Sequence, residues 1–270
     1  MNNTLTPKST SNLATGTISV YPFKAEGITL HVYHTGNFAN DQTFLLETEK
    51  NLIAIEAPAL YKNISALQTY ITQLKKPLND ALISYHPAGG GDAFPEANLY
   101  ATASTKEAMT KGETKHIIDG FVQVFGEEFN STIPKINKGL AGGNTTIAGV
   151  KFVIIPTPSG YDIEIPDINV IYTHMLGADS HSILAGEKQI KSLISTLKGY
   201  KKADYNLILT SHHTPETLAD VDTKIAYLRQ ALEIITHAKT AGEFIQQMKT
   251  AFPNYLGENY LEMSAGMLYN

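Results

Sequence analysis

The chain contains no cysteine. That excludes disulfides, thiolate metal ligands and a cysteine nucleophile, and leaves histidine, carboxylate, serine and tyrosine side chains to carry any chemistry. It also lacks a long basic run, and its formal net charge is −5 over 270 residues. Duplex binding needs clustered Lys and Arg to displace counterions, so no nucleic-acid partner is expected. No apolar run approaches the roughly 20 residues that span a bilayer, so no membrane partner is expected either. Residues 1–17, MNNTLTPKSTSNLATGT, are polar and lack the apolar core of a signal peptide. They read as a flexible leader before a single domain over residues 18–270. A cytoplasmic protein fits this start, and so does an exported one whose signal has been removed.

An ordinary 43% hydrophobic content is enough for a real core. TISVYPF and ITLHVYHT alternate like strands, and TFLLETEKNLIAIEAP reads as a hairpin turning at Glu49-Lys50-Asn51. Ile64, Leu67, Ile71 and Leu74 share one face of a helix that Pro77 stops. Strand LNDALIS, a glycine-rich loop, strand NLYAT and a helix from about Ser104 follow. Residues 112–149 are less regular. A second run of short strands, 150–156, INVIYT and YNLILTS, then alternates with a helix over 187–198, and Thr214 is placed to cap a long helix whose first position is Pro215. The apolar C-terminal NYLEMSAGMLYN is suited to covering the chain's own helices or a second subunit, as in a homodimer.

The informative regularity is where polar residues stand. His86, His174 and His212 each end a short apolar run, and Tyr161 and Asp162 closely follow another. In layered α/β proteins, strand ends along one edge bring distant residues together and form the usual ligand cleft, here expected to take a small molecule. A single histidine past a strand is more often a satisfied turn residue. Gly89, Gly90 and Gly91 in YHPAGGGD read first as a turn needing positive φ, and second as a nest of amides for an anion. His31 and His34 lie on or after an alternating strand and are expected to face solvent or a neighbouring loop. No Gly-x-Ser-x-Gly elbow is present to support a serine nucleophile.

TFLLETEKNLIAIEAP, LKKPLNDALISYHPAGGGDAFPEANLYAT, DGFVQVFGEEF, IPTPSGYD, VIYTHMLGADSHSILAG and ILTSHHTPETLADVDTKIAYL resemble, in order and spacing, the metallo-β-lactamase-fold hydrolases. The resemblance runs from about Thr43 to the C-terminus and implies an αββα sandwich, two mixed β-sheets flanked by helices, with a one- or two-metal site on one edge. The family's His-x-His-x-Asp-His loop corresponds to YHPAGGGD, which keeps His86 alone. The next family histidine falls at Tyr161, beside Asp162, and the bridging aspartate falls on His174. The last family histidine is matched by His212, and His181 matches a position near the family's site rather than on its metal.

These departures remove the bridging carboxylate and the multi-ligand loop, so a two-metal centre is not expected. His86, His174 and His212 could supply three imidazoles to one zinc, iron or manganese ion, or the site could hold none. Asp162, Asp92 or Asp179 would then be the outer carboxylate, and Tyr161, Asp162 and Asp92 are the catalytic candidates. Three readings follow: a degenerate site with weak or no hydrolase activity, an active one-metal hydrolase of a small ester, lactone or amide, or a metal-free small-ligand binding protein.

Overall fold

The computed structural model describes residues 5–38 and 40–269 and divides into two compact units, Met1–Met175 with Leu209–Pro215, and Leu176–Ile208 with Glu216–Asn270. The first unit holds a mixed eight-stranded sheet in sequence order: β1 Ser9–Asn12, β2 Thr17–Phe23, β3 Ile28–His34, β4 Gln42–Glu47, β5 Leu52–Ile55, β6 Leu78–Leu82, β7 Asn98–Thr102 and β8 Lys138–Leu140. Pairing is antiparallel from β1 to β5 and parallel from β5 to β8. The expected leader thus contains β1, which pairs with β2 through Ser9↔Val20 to Asn12↔Thr17, though all four of its residues are exposed.

A second, five-stranded sheet runs in the order β13-β12-β11-β10-β9, from β9 Gly143–Ile147, β10 Val150–Pro156, β11 Tyr161–Ile165, β12 Val170–Thr173 and β13 Leu207–Thr210. Helix α1, Tyr61–Leu74, packs Ile64 and Leu67 against Leu45, Ala54, Ala81, Ile83 and Leu99 of the first sheet. All four β5 residues are buried, as expected of a strand covered on both faces. The two sheets are tied by polar groups between them. Ser84 Oγ donates to Tyr161 O at 2.8 Å and accepts from Tyr161 N–H at 2.7 Å.

After β6 the chain enters the glycine loop and the one-turn helix α2, Gly90–Ala93, and β7 leads into α3, Ala103–Lys111. Gly89 has φ +75°, and a Cβ there would lie 2.8 Å from Pro58 O. Its amide donates to Thr132 O and that of Gly90 to Pro87 O, so the loop is a packed turn and those two amides are taken, which removes the anion-nest reading. Gly89→Ala is therefore expected to lower stability by about 2 kcal/mol, the usual left-handed penalty plus the contact with Pro58, readable as a lower urea midpoint.

Residues 113–125, expected to be irregular, form helix α4, Glu113–Phe125. Its β-branched residues and Gly120 lower the helix propensity, and packing overrides them: Ile118, Phe121 and Phe125, at helical spacing, join Leu60, Ala88 and Phe129 in a small cluster. His31 also departs from expectation, being 3% exposed. Its ring bonds Tyr70 Oη at 2.7 Å and Glu47 Oε2 at 2.9 Å, partners that satisfy an imidazole inside the fold.

The second unit carries α5 Glu187–Ala203, α6 Leu218–His237, α7 Ala241–Ala251 and α8 Glu258–Tyr269. Among the described residues no helix is long and apolar enough to cross a membrane. The cap of α6 is Thr217, in a reciprocal box with Asp220, and not Thr214. Glu216 turns back to pair with Ile208, which keeps residues 211–215 in a bend between the two and delays the helix. Lys224 on α6 is buried. Its amine donates to Gly177 O at 2.8 Å and Ser180 O at 2.7 Å, and burial lowers its pKa to about 8.

Candidate metal centre

Three strand ends of the first unit deliver the site. His86 follows β6, His174 follows β12 and His212 follows β13. Backbone hydrogen bonds register these ends: Ser211 N–H donates to His174 O at 3.0 Å, and Gln42 N–H donates to Ser211 O at 2.8 Å. His86 is set by Glu56, the residue just beyond β5, which is fully buried at the left-handed φ of +62°. Glu56 accepts the amides of Ser84 at 3.3 Å, Tyr85 at 2.7 Å and His86 at 3.0 Å, and the Tyr172 hydroxyl at 2.6 Å. Tyr172 Oη in turn lies 2.8 Å from Ser211 Oγ. One carboxyl group thus gathers the strand ends that carry two of the three histidines.

The imidazoles of His86, His174 and His212 each offer one nitrogen, and these atoms lie within 4.8 Å of one another. The Nε2 atoms of His86 and His174 are 3.4 Å apart. Two nitrogens on one tetrahedral zinc, at the usual bond of about 2.0–2.1 Å, stand about 3.3–3.4 Å apart, so this pair already has ligand spacing. Among the described residues this is the one group of three or more His, Asp or Glu able to hold an ion.

The carboxylate that faces two of these rings is Asp41, which is not among the sequence candidates. Buried at 6% exposure, it places Oδ1 3.4 Å from His86 Nδ1 and 3.5 Å from His212 Nδ1. Burial alone would raise its pKa, but the two histidines outweigh burial and hold Asp41 far below the usual carboxylate range. Burial likewise opposes the charged form of His86, and Asp41 together with the charge of Glu56 overcomes it and raises the pKa. His174 is lowered to about 3, first by burial and then by the charges of His86 and His212, so it stays neutral and keeps its lone pair. Its ring stacks on Tyr85 at 4.6 Å and 15°, and the Tyr85 hydroxyl donates to Asp162 Oδ1 at 2.8 Å and lies 3.1 Å from Thr157 Oγ1. Gly160 makes room for that ring, since a Cβ there would meet Tyr85 Cδ1 at 2.6 Å.

The other sequence candidates lie elsewhere. Tyr161 is fully buried and bonds Tyr100 O at 3.2 Å, between the sheets. Asp162 reaches the cluster through Tyr85. Asp92 sits on α2, exposed, and accepts from Asn130 Nδ2. Asp179 and His181 belong to the second unit, where His181 is buried with Nδ1 3.3 Å from Tyr227 Oη and its ring against Tyr255. Asp41 and Glu56 left a faint signal, an acid one residue before the strand QTFLLE or after the strand LIAI, where exposure is the commoner outcome.

No protein-family model matches the sequence, and no curated protein does. Solved structures do match. A double mutant of the sec-alkylsulfatase PisA1 superposes with TM-score 0.63 at 14% identity, over 94% of this chain and 50% of that one. The stereoselective inverting sec-alkylsulfatase Pisa1 from Pseudomonas sp. gives 0.60 at 16% over the same shares. A metallo-β-lactamase from Erythrobacter litoralis gives 0.57 at 13%, over 82% of this chain and 100% of that one. The chain has the metallo-β-lactamase fold. The two-sheet sandwich described above is that fold's frame, and the histidine cluster sits at the strand ends of the sandwich. The chain spans about half the length of the alkylsulfatases it matches, 50% of each.

Proposed function

We propose that the chain is a one-metal protein of the metallo-β-lactamase fold whose site, stripped of the family's bridging carboxylate, has weak or no hydrolase activity by the two-metal route. The observation that carries the reading is the convergence of His86, His174 and His212 to within 4.8 Å with no carboxylate among the ligand atoms. The donor set fits zinc, with iron as a substitute, because neutral imidazole suits both; manganese, which prefers oxygen donors, fits an all-histidine set less well. When bound, an ion held by three imidazoles leaves one position open and supplies Lewis acidity that makes water a nucleophile near neutral pH.

The chain's own carboxylates are otherwise engaged. Asp41 faces two imidazoles, Glu56 holds three amides and a phenol, and Asp162 accepts from Tyr85. A proton acceptor for an attacking water is therefore missing from this set, which favours weak activity. The second reading, an active one-metal hydrolase of a small ester, lactone or amide, draws on the three-histidine ligand set itself, since such a site works without a second ion.

Zinc titration of chelator-treated protein tests the proposal, with 1:1 binding expected. Two equivalents at comparable affinity, or none, would overturn it. Ester, lactone, amide and β-lactam assays on the loaded protein then separate the two readings: turnover that vanishes in His212→Ala supports the active hydrolase.

A further inference from the structure

The geometry points to Asp41 as the positioning residue of this site: a single buried oxygen faces the Nδ1 atoms of two imidazoles, fixing both rings so that their Nε2 atoms are the ones presented to an ion. The inference rests on the three-histidine reading of the site and goes beyond it, because Asp41 comes from the β3–β4 loop, which carries none of the ligands.

A free neutral imidazole can carry its proton on either nitrogen, and an acceptor at one nitrogen selects the tautomer. Oδ1 of Asp41 lies 3.4 Å from Nδ1 of His86 and 3.5 Å from Nδ1 of His212, so both rings are directed to hold the proton there and leave Nε2 unprotonated. The Nε2 of His86 is the atom 3.4 Å from His174 Nε2. Both Asp41 contacts exceed the 2.7–3.2 Å of an ordinary N–H···O bond, so the carboxylate acts through its charge as well as through direction.

Asp41 is itself held on several sides, as a residue that orients others must be. Asn37 Nδ2 donates to its other oxygen, Oδ2, at 3.1 Å, and its carbonyl accepts from Thr35 N–H at 3.0 Å and Thr35 Oγ1 at 2.9 Å. Asn63 Nδ2 on α1 donates to Thr35 O at 2.9 Å, and Phe38 in the same loop stacks on Phe125 of α4 at 3.6 Å. The next residue, Gln42, is bonded through its amide to the residue before His212. The loop thus carries an oriented negative charge that no ligand residue supplies. His174 has a different support, the Tyr85 stack, and serves as the internal control.

The test has two readouts. In metal-free protein at alkaline pH, long-range 15N–1H spectra report each ring's tautomer. Asp41→Ala is expected to move His86 and His212 away from the Nδ1–H form and to leave His174 unchanged. In zinc competition titrations the same variant should bind 10–100-fold more weakly, the usual loss for an outer-shell partner. Asp41→Asn, close to isosteric and still offering one oxygen, should fall between it and the wild type. Unchanged tautomers in a folded Asp41→Ala variant, or a zinc affinity of folded Asp41→Asn equal to that of the wild type, even with a lower melting temperature, would overturn the inference and leave Asp41 a structural residue. The tautomer readout needs no metal, so it stands or falls apart from the one-zinc proposal: wild-type protein that binds no zinc would defeat that proposal alone.

Discussion

Glu56→Ala is expected to cost about 4 kcal/mol or more of unfolding free energy, because each buried donor left without an acceptor costs about 1–3 kcal/mol. Four donors are involved, the amides of Ser84, Tyr85 and His86 and the hydroxyl of Tyr172. Against a typical total of about 5–15 kcal/mol, that brings the chain close to unfolding at room temperature. Glu56→Gln keeps one carbonyl oxygen but turns an NH2 toward donors, and should cost roughly half as much. Circular dichroism through a urea titration reads both. A Glu56→Ala midpoint equal to that of the wild type would mean that water replaces the carboxyl group and that the loop is not organised by it.

Removal of a ligand should have the largest effect on metal. His174→Ala is expected to weaken zinc binding more than 100-fold. Zinc sites with four protein ligands hold the ion by about 10–16 kcal/mol in total, so one imidazole in a smaller set accounts for at least about 3 kcal/mol. The loss should exceed that of the Asp41 variants, since a ligand outweighs the group that orients it. Competition against a chromophoric chelator measures it, with His237→Ala, an exposed histidine bonded to its own helix at Glu233 O, as the control. Equal affinities for His174→Ala and the wild type would place the ion elsewhere and undo the three-histidine reading.

Much of this was legible in the sequence wherever the physics is local. Alternation marked β2 and β3, the polar turn at Glu49-Lys50-Asn51 marked the β4–β5 hairpin, and Pro77 marked the end of α1. The three histidines could be singled out because each closes a short apolar run, a position that topology turns into an edge. Helix α4 was hidden because its order comes from aromatic packing more than from propensity. Asp41 and Glu56 were hidden for a related reason. An acid at a strand end is ordinarily solvated, and only the partners brought in from β6, β12 and β13 make it a buried acceptor. The cap of α6 moved three residues because Glu216 pairs back to Ile208, a contact that local sequence does not express.

The Ser84–His86 segment takes its form from a carboxyl group belonging to the chain itself, anchored to a neighbouring strand. In small zinc domains the ion is the keystone and the apo chain collapses into disorder. Here the arch closes on its own side chains, and any cation would be a guest in a finished building. Dialysis against a chelator should empty such a site while leaving the far-ultraviolet spectrum of the protein as it was.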